Sequence, residues 1–149
     1  MVLALFLAQA VVAVPAQPRS QLPPPADYSR LSLVVADTVS ETDPKPLCAR
    51  KGCLSMFLGS YAHAVVLAGP PTGDRFKARV EMGSPFISRY RLALIVEHRP
   101  GQEPLIRAMA GFNDRTHEAC FEGRDTQGWN WEVSGPRILK RNQVICVTE

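Results

Sequence analysis

The chain has 149 residues, a formal net charge of +3 at pH 7 and four cysteines. A domain of this size can form a stable hydrophobic core unaided, so disulfide bonds would reinforce the fold and are not needed to define it. The charge is only mildly basic, which argues against a protein dedicated to binding nucleic acid.

Residues 1–16 predict an export signal. The apolar run from Val2 to Val14 is too short to cross the ~30 Å hydrocarbon core of a bilayer, but it suits the apolar region of a signal peptide. Val14 and Ala16 are small, as signal cleavage after Ala16 requires, although no Lys or Arg precedes the run. We therefore expect a periplasmic or extracellular protein without a membrane span. The alternative is a buried N-terminal strand or helix.

Residues 17–46 predict a proline-rich leader that precedes a β domain at residues 47–149. Seven of the thirteen prolines fall at or before Pro46. Proline lacks a backbone donor and fixes φ, so residues 17–30 should be extended and outside any helix or sheet. The leader includes one candidate strand, at residues 31–39, where apolar residues alternate with others.

From residue 60 onward, apolar and polar residues alternate along most of the chain. In "DRFKARVEMG", Phe76 and Val80 face one side while Lys77 and Arg79 face the other, which is typical of a half-buried strand. The same pattern predicts strands at residues 61–68, 74–82, 89–98, 117–122, 128–133 and 143–148.

Turn signals separate these strands. "GPPTG" joins strands 61–68 and 74–82 in a predicted hairpin, and "RPGQ" places Pro100 and Gly101 at the centre of a type II turn. The next segment, "EPLIRAMAGF", has a proline and a glycine where a short helix would have them. The preceding turn favours a strand there instead.

The predicted strand at residues 89–98 is apolar on both faces and should lie in the interior of a sheet. Seven or eight short strands predict an all-β fold, namely a small antiparallel β-barrel or sandwich with disulfide bonds. A barrel of the oligonucleotide/oligosaccharide-binding (OB) type is one possibility, and this likeness concerns the fold alone. The predicted core contains Phe76, Val80, Leu92, Leu94, Val96 and Trp131.

The four cysteines predict two disulfide bonds. Cys48 and Cys53 have four residues between them, whereas zinc sites and thioredoxin-like dithiols favour two. An even number of cysteines in an exported protein indicates disulfides, and we predict Cys48–Cys53 and Cys120–Cys146. A redox role, or a zinc site formed by His117, Cys120 and Cys146, is the alternative. No metal is predicted.

The sequence has no Gly-x-Ser-x-Gly, no His-Glu-x-x-His and no Gly-rich phosphate loop. His63 falls on the large apolar face of its predicted strand, so we expect a hydrogen-bonded core residue. His98 and His117 flank turns and should be solvated. Oxidised cysteines leave no thiol nucleophile. The sequence therefore favours a protein that is not an enzyme, and it predicts no cofactor.

A basic surface is the main indication of function. If strands 74–82 and 89–98 pair, their outward basic side chains would lie together: Arg75, Lys77, Arg79, Arg89 and Arg91. Such a face would suit an anionic polymer, a glycan or an acidic protein partner. Trp129, Trp131 and Tyr90 could add stacking platforms. The alternative is ordinary solvated charges and aromatic residues of the core.

These features predict an exported β domain that acts as a binding or accessory module of the cell envelope. The alternative function is a small secreted hydrolase with a Ser/His or carboxylate/His site. A histidine beside a serine or a carboxylate in a concave pocket would favour the hydrolase, whereas a flat basic and aromatic face would favour the binding module.

Overall fold

A computed structural model describes residues 22, 25, 27–47, 54–83, 89–122, 138–141 and 144–148. These residues form one short 3-10 turn, Tyr28–Arg30, followed by eight strands. The strands are β1 (Leu31–Pro46), β2 (Ser55–Ala68), β3 (Phe76–Met82), β4 (Arg91–Glu97), β5 (Leu105–Asn113), β6 (Glu118–Glu122), β7 (Ile138–Arg141) and β8 (Val144–Thr148). The prediction of an all-β fold is confirmed. No helix in this part of the chain is long and apolar enough to cross a membrane.

The strands are hydrogen-bonded in the order β3-β2-β1-β4-β5-β6-β8-β7, and neighbours in this order are antiparallel. β3 also pairs with β5 in parallel, through Arg79↔Leu105 and Val80↔Ile106. This contact joins β1, β2, β3, β5 and β4 into a partial ring, called the five-strand ring below. β6, β8 and β7 extend the sheet beyond it.

β1 and β4 lie at the centre of the sheet because both are apolar on both faces. Residues 31–36 of β1 and 92–97 of β4 are buried without exception. A strand covered on both faces needs a continuous apolar sequence, and "LSLVVA" and "LALIVE" come close to one. The prediction that residues 89–98 form an interior strand is therefore confirmed.

The two faces of this central pair contribute to two cores. The first core receives side chains from all five strands of the five-strand ring: Val34, Ala36, Phe57, Tyr61, Ala78, Val80, Met82, Leu92, Leu94, Val96 and Ile106. The second core lies on the opposite face of β1 and β4 and includes residues of β6 and β8: Leu31, Leu33, Val35, Ala93, Ile95, Ala108, Phe112, Ala119, Phe121 and Val147.

Most of the predicted core is confirmed. Val80, Leu92, Leu94 and Val96 are buried in the first core, and Phe76 is partly buried against it. Trp131 lies outside the described residues, as does Trp129.

The turn before β5 has the predicted geometry. Gly101 has φ of 68°, which the third position of a type II turn requires, and Gln102 N–H donates to Arg99 O over 3.2 Å. The segment "EPLIRAMAGF" that follows is a strand, as the turn indicated, and it continues to Asn113 as β5.

The condition set for a single basic surface, that residues 74–82 pair with residues 89–98, is not met. β3 pairs with β2 and β5, while β4 pairs with β1 and β5. The physical reason is burial: β4 is apolar on both faces and takes the central position beside β1, whereas β3 has exposed or partly exposed residues on alternate positions. The predicted β2–β3 hairpin is confirmed as an antiparallel pair, from Ser55↔Met82 to Tyr61↔Phe76.

The disulfide Cys120–Cys146 is confirmed. The two residues are direct partners in the β6–β8 register, and the bond closes a loop of 26 residues. It fixes β8 against β6, and Val147 of β8 belongs to the second core. The predicted Cys48–Cys53 bond lies outside the described residues.

Removal of this bond should destabilise the protein substantially. For a loop of 26 residues, the loop-entropy model gives a loss of about 3–4 kcal/mol in the Cys120→Ser, Cys146→Ser double variant. The free energy of unfolding in urea measures this loss. The matched control is Cys48→Ser, Cys53→Ser, which would open a much shorter predicted ring and should cost less. Equal losses in the two double variants would contradict this account.

Candidate functional site

An open cleft of about 510 Å³ lies where β1 stops pairing with β4. The last pair between these strands is Asp37↔Arg91, and both residues line the cleft. β2 contributes His63, the residue just before β3 is Arg75, and the turn between β5 and β6 contributes Asp114. Polar side chains from five parts of the sheet therefore meet at one concave position.

His63 reaches the cleft because β2 bulges at this residue. Val35 pairs with Val65 and Asp37 pairs with Ala62, so β2 has one more residue than β1 between these pairs. An extra residue of this kind re-aims the side chains around it. His63 has φ of 51°, in the left-handed region, and its side chain is 69% exposed. The prediction that His63 belongs to the core is wrong, because the bulge breaks the alternation on which it relied.

A chain of polar contacts crosses the floor of the cleft. His63 Nδ1 lies 2.9 Å from Asp37 Oδ2, and Asp37 Oδ1 accepts a hydrogen bond from Arg91 Nη1 over 3.3 Å. Arg91 Nε lies 3.2 Å from Asp114 Oδ1, and its guanidinium group lies 5.7 Å from the centre of the Phe112 ring. Arg91 is thus held between two carboxylates, and it fixes Asp37 in turn.

The contact with Asp37 also decides which nitrogen of His63 is available. An ionised carboxylate only accepts hydrogen bonds, so Nδ1 of His63 carries a proton and donates a hydrogen bond to Asp37. Nε2 is on the other side of the ring and is the nitrogen left for a ligand. Orientation of an imidazole by a carboxylate is the arrangement that enzymes use for a general base.

The segment that leads into β4 is fixed to β1 at the edge of the cleft. Thr38 N–H donates to Tyr90 O, and Tyr90 N–H donates to Thr38 Oγ1, each over 2.8 Å. Thr38 itself is only 3% exposed. Arg89 and Tyr90, which line the cleft, are therefore presented by an anchored backbone, and Tyr90 is 47% exposed.

Two guanidinium groups in the cleft have no carboxylate partner within the part of the chain that the structure describes. Arg75 and Arg89 are exposed, and no described residue forms an ion pair with either of them. Among the described residues that line the cleft, three arginines and two aspartates carry charge, so this part of the lining has an excess of positive charge. This arrangement favours an anionic ligand.

The predicted basic surface is divided in the structure. Arg75, Arg89 and Arg91 meet in the cleft, whereas Lys77 and Arg79 lie further along β3 and do not line it. Arg79 is directed toward β5 instead, where its Nε lies 3.6 Å from Glu103 Oε2. The division follows from the topology, since β3 and β4 are not neighbours.

A serine–histidine pair exists elsewhere, but its geometry is structural. Ser32 is fully buried, and its hydroxyl donates to Pro70 O over 2.5 Å. A hydroxyl has one proton, so the contact of 2.8 Å between Ser32 Oγ and His98 Nε2 must be donated by His98. His98 is partly buried and so less solvated than predicted, while His117 is exposed as expected.

The described cysteines, Cys120 and Cys146, do not form a metal site. Glu118 Oε lies close to the sulfur atoms of Cys120 and Cys146, but both sulfurs are in the disulfide bond and neither is a thiolate. His117 is not part of this group.

Comparisons with known proteins identify no relative, so the role of the cleft has to be inferred from the residues that line it. No protein-family model, no curated protein and no solved structure matches this chain. The residues that sequence reasoning missed are Asp37 and Asp114, together with the exposure of His63. The sequence did contain one indication of Asp37 as a site residue, since it is the only carboxylate in the apolar segment "LSLVVADTV".

The backbone of His63 allows a test of the bulge. Glycine adopts positive φ without cost, so His63→Gly should be as stable as the wild type or more stable by up to about 1 kcal/mol. Valine is disfavoured in the left-handed region, and His63→Val should lose about 1–2 kcal/mol. Urea unfolding measures both changes. Equal stability of the two variants would contradict the positive φ at this position.

The partial burial of His98 predicts a pH dependence of stability. Desolvation lowers the pKa of His98 from its ordinary value of 6.5. The unfolded chain then binds a proton at a higher pH than the folded protein does, so this contribution to stability is complete above about pH 6.5 and is lost as the pH falls toward the lower folded pKa. In His98→Gln, whose amide can still donate to Ser32, the free energy of unfolding should vary less between pH 7 and pH 5. An unchanged slope would contradict the assignment.

Proposed function

We propose that this protein is an exported binding module that recognises an anionic group in the cleft. The observation that carries the proposal is the unequal pairing of the arginines. Arg91 is held by Asp37 and Asp114, while Arg75 and Arg89 beside it have no carboxylate partner among the described residues. Buried charged groups are ordinarily paired, whereas exposed guanidinium groups that line a concave site are accessible to a ligand.

The guanidinium group sets the chemistry of that ligand. Arginine presents a planar fork of donors that matches phosphate or carboxylate oxygens, and such charge-assisted hydrogen bonds are about twice as strong as neutral ones. Arg91 adds a third positive charge whose position is fixed by two carboxylates. The exposed ring of Tyr90 borders the same cleft and can pack against an apolar or planar part of the ligand.

The strand pairing supports an OB type barrel as the finer description of the fold. That barrel has five strands, is partly open and uses the neighbourhood of its second and third strands to bind oligonucleotides and oligosaccharides. Here β1 pairs with both β2 and β4, and β3 pairs with β5. The cleft takes His63 from β2 and Arg75 from the residue before β3.

Two observations support export to the cell envelope. Residues 1–16 have the composition of a signal peptide, and Cys120–Cys146 is a disulfide of the kind that persists in oxidising compartments. An anionic polymer, a glycan or an acidic partner of the envelope would then meet the cleft directly.

A hydrolytic function is the second candidate. The observation that favours it is the His63–Asp37 contact of 2.9 Å inside a concave, positively charged site. Anion binding alone does not need an oriented imidazole, whereas a general base does.

The binding proposal predicts that replacing Arg75 and Arg89 weakens anion binding more than replacing two basic residues outside the cleft. In the double variant Arg75→Ser, Arg89→Ser, retention of the protein on a phosphocellulose matrix should fall sharply. Its affinity for a phosphorylated ligand should drop about tenfold or more for each arginine removed. The matched control is Lys45→Ser, Lys77→Ser, which removes the same charge from exposed positions outside the cleft. Exposed charges contribute only about 0–1 kcal/mol each to folding, so both variants should remain folded.

Elution in a salt gradient distinguishes the cleft from net charge. Earlier elution of the cleft variant than of the control variant supports the proposal. Identical elution of the two variants would mean that retention reflects net charge alone, and it would overturn the proposal.

A further inference from the structure

We propose that the cleft cleaves single-stranded RNA, with His63 as the general base. This inference rests on the proposed function, because the arginines must first bind the phosphate that is to react. It follows from three features of the cleft: an oriented imidazole, unpaired guanidinium groups and the absence of an attacking group among the described residues that line it.

His63 has the geometry of a base. Asp37 accepts a hydrogen bond from Nδ1–H, so Nε2 is the basic nitrogen, and the side chain is open to the cleft. Asp37 is itself fixed by Arg91, and Arg91 by Asp114. The left-handed backbone of His63 also suggests a functional constraint, since residues in such conformations cluster at active sites.

The described lining of the cleft offers no nucleophile. Its only aliphatic hydroxyl belongs to Thr38, which is buried and whose Oγ1 accepts a hydrogen bond from Tyr90 N–H. A site that has a general base but no nucleophilic side chain is suited to a substrate that carries its own nucleophile. An adjacent hydroxyl has an effective molarity of up to about 10⁵–10⁸ M in such reactions. The 2′-hydroxyl next to each phosphodiester of RNA is a group of this kind.

The reaction balances without any further reactant except water. Nε2 of His63 takes the proton of the 2′-hydroxyl, O2′ forms a bond to phosphorus, and the bond from phosphorus to O5′ breaks. O5′ leaves with a proton from water, and the resulting hydroxide takes the proton of the imidazolium. The products are a 2′,3′-cyclic phosphate and a 5′-hydroxyl end. Arg75 and Arg89 stabilise the charge that develops on the phosphoryl oxygens.

Tyr90 favours RNA over other phosphodiesters that have a neighbouring hydroxyl, such as glycerol phosphate polymers. It borders the cleft between Arg89 and Arg91 and is 47% exposed. Bases stack on aromatic rings of this kind in proteins that bind single strands, and the stacking stabilises the complex. The net charge of +3 argues against a protein that coats nucleic acid, but a cleft that engages one or two phosphates does not need a larger charge.

The test uses a fluorescent oligouridylate and the deoxyuridylate of the same length. Wild-type protein should bind both oligomers and cleave only the ribose form, and mass spectrometry should detect 2′,3′-cyclic phosphate ends. His63→Asn removes the imidazole but keeps a residue that tolerates positive φ. This variant should lose cleavage by about 10²–10⁴-fold and still bind the deoxy oligomer as the wild type does. Arg75→Ser, Arg89→Ser should lose both binding and cleavage.

The binding and cleavage measurements together distinguish failure of the RNA-cleavage inference from failure of the binding proposal. If the wild type binds both oligomers without cleaving RNA, or if His63→Asn cleaves at the wild-type rate, the general-base role is overturned and binding stands. Cleavage of a glycerol phosphodiester in preference to the oligouridylate would overturn RNA as the substrate. If neither oligomer binds and phosphocellulose does not retain the protein, both proposals fail.

Discussion

The register between β1 and β4 sets the position of everything else in the described structure. Seven consecutive pairs, from Leu31↔Glu97 to Asp37↔Arg91, place two strands side by side that are apolar on both faces. Each face must then be covered, because exposed apolar area is unfavourable in water. The five-strand ring covers one face, and β6 and β8 cover part of the other. The disulfide Cys120–Cys146 supports this second layer by joining β6 to β8.

The polar side chains near the two ends of β4 differ in their burial and in their hydrogen-bond partners. At its C-terminal end, Glu97 is buried and accepts a hydrogen bond from Arg107 Nε over 2.7 Å, and His98 donates to the buried Ser32. Polar groups out of contact with water are costly unless they are paired, so these contacts serve the fold. About 20 Å away along the strand, Arg91 begins a cluster in which Arg89 has no described carboxylate partner. Glu97 and Ser32 are thus paired at one end of the strand, whereas Arg89 is exposed near the other.

The bulge at His63 connects the architecture of the sheet to its chemistry. Before the bulge, Tyr61 faces the first core, and after it Ala64 and Val66 pack against the same core. A strand with strict alternation would have put residue 63 there instead, and His63 would have been buried. The extra residue turns the imidazole out to the cleft, at the cost of a left-handed backbone. Stability and the proposed activity therefore place opposite demands on this one position.

The sequence by itself determined the features that depend on local pattern and on turn chemistry. The two-faced apolar strand and the Pro100–Gly101 turn were predictable because each depends on residue spacing. The even number of cysteines indicates disulfides but allows three pairings, and Cys120–Cys146 is preferred because both residues lie in predicted strands. Only the tertiary structure decided that β3 is separated from β4 and that His63 faces the cleft beside Asp37. Strand partners are chosen by nonlocal burial, and a shift of one residue reverses every side chain beyond it, so neither could be inferred from the alternation itself.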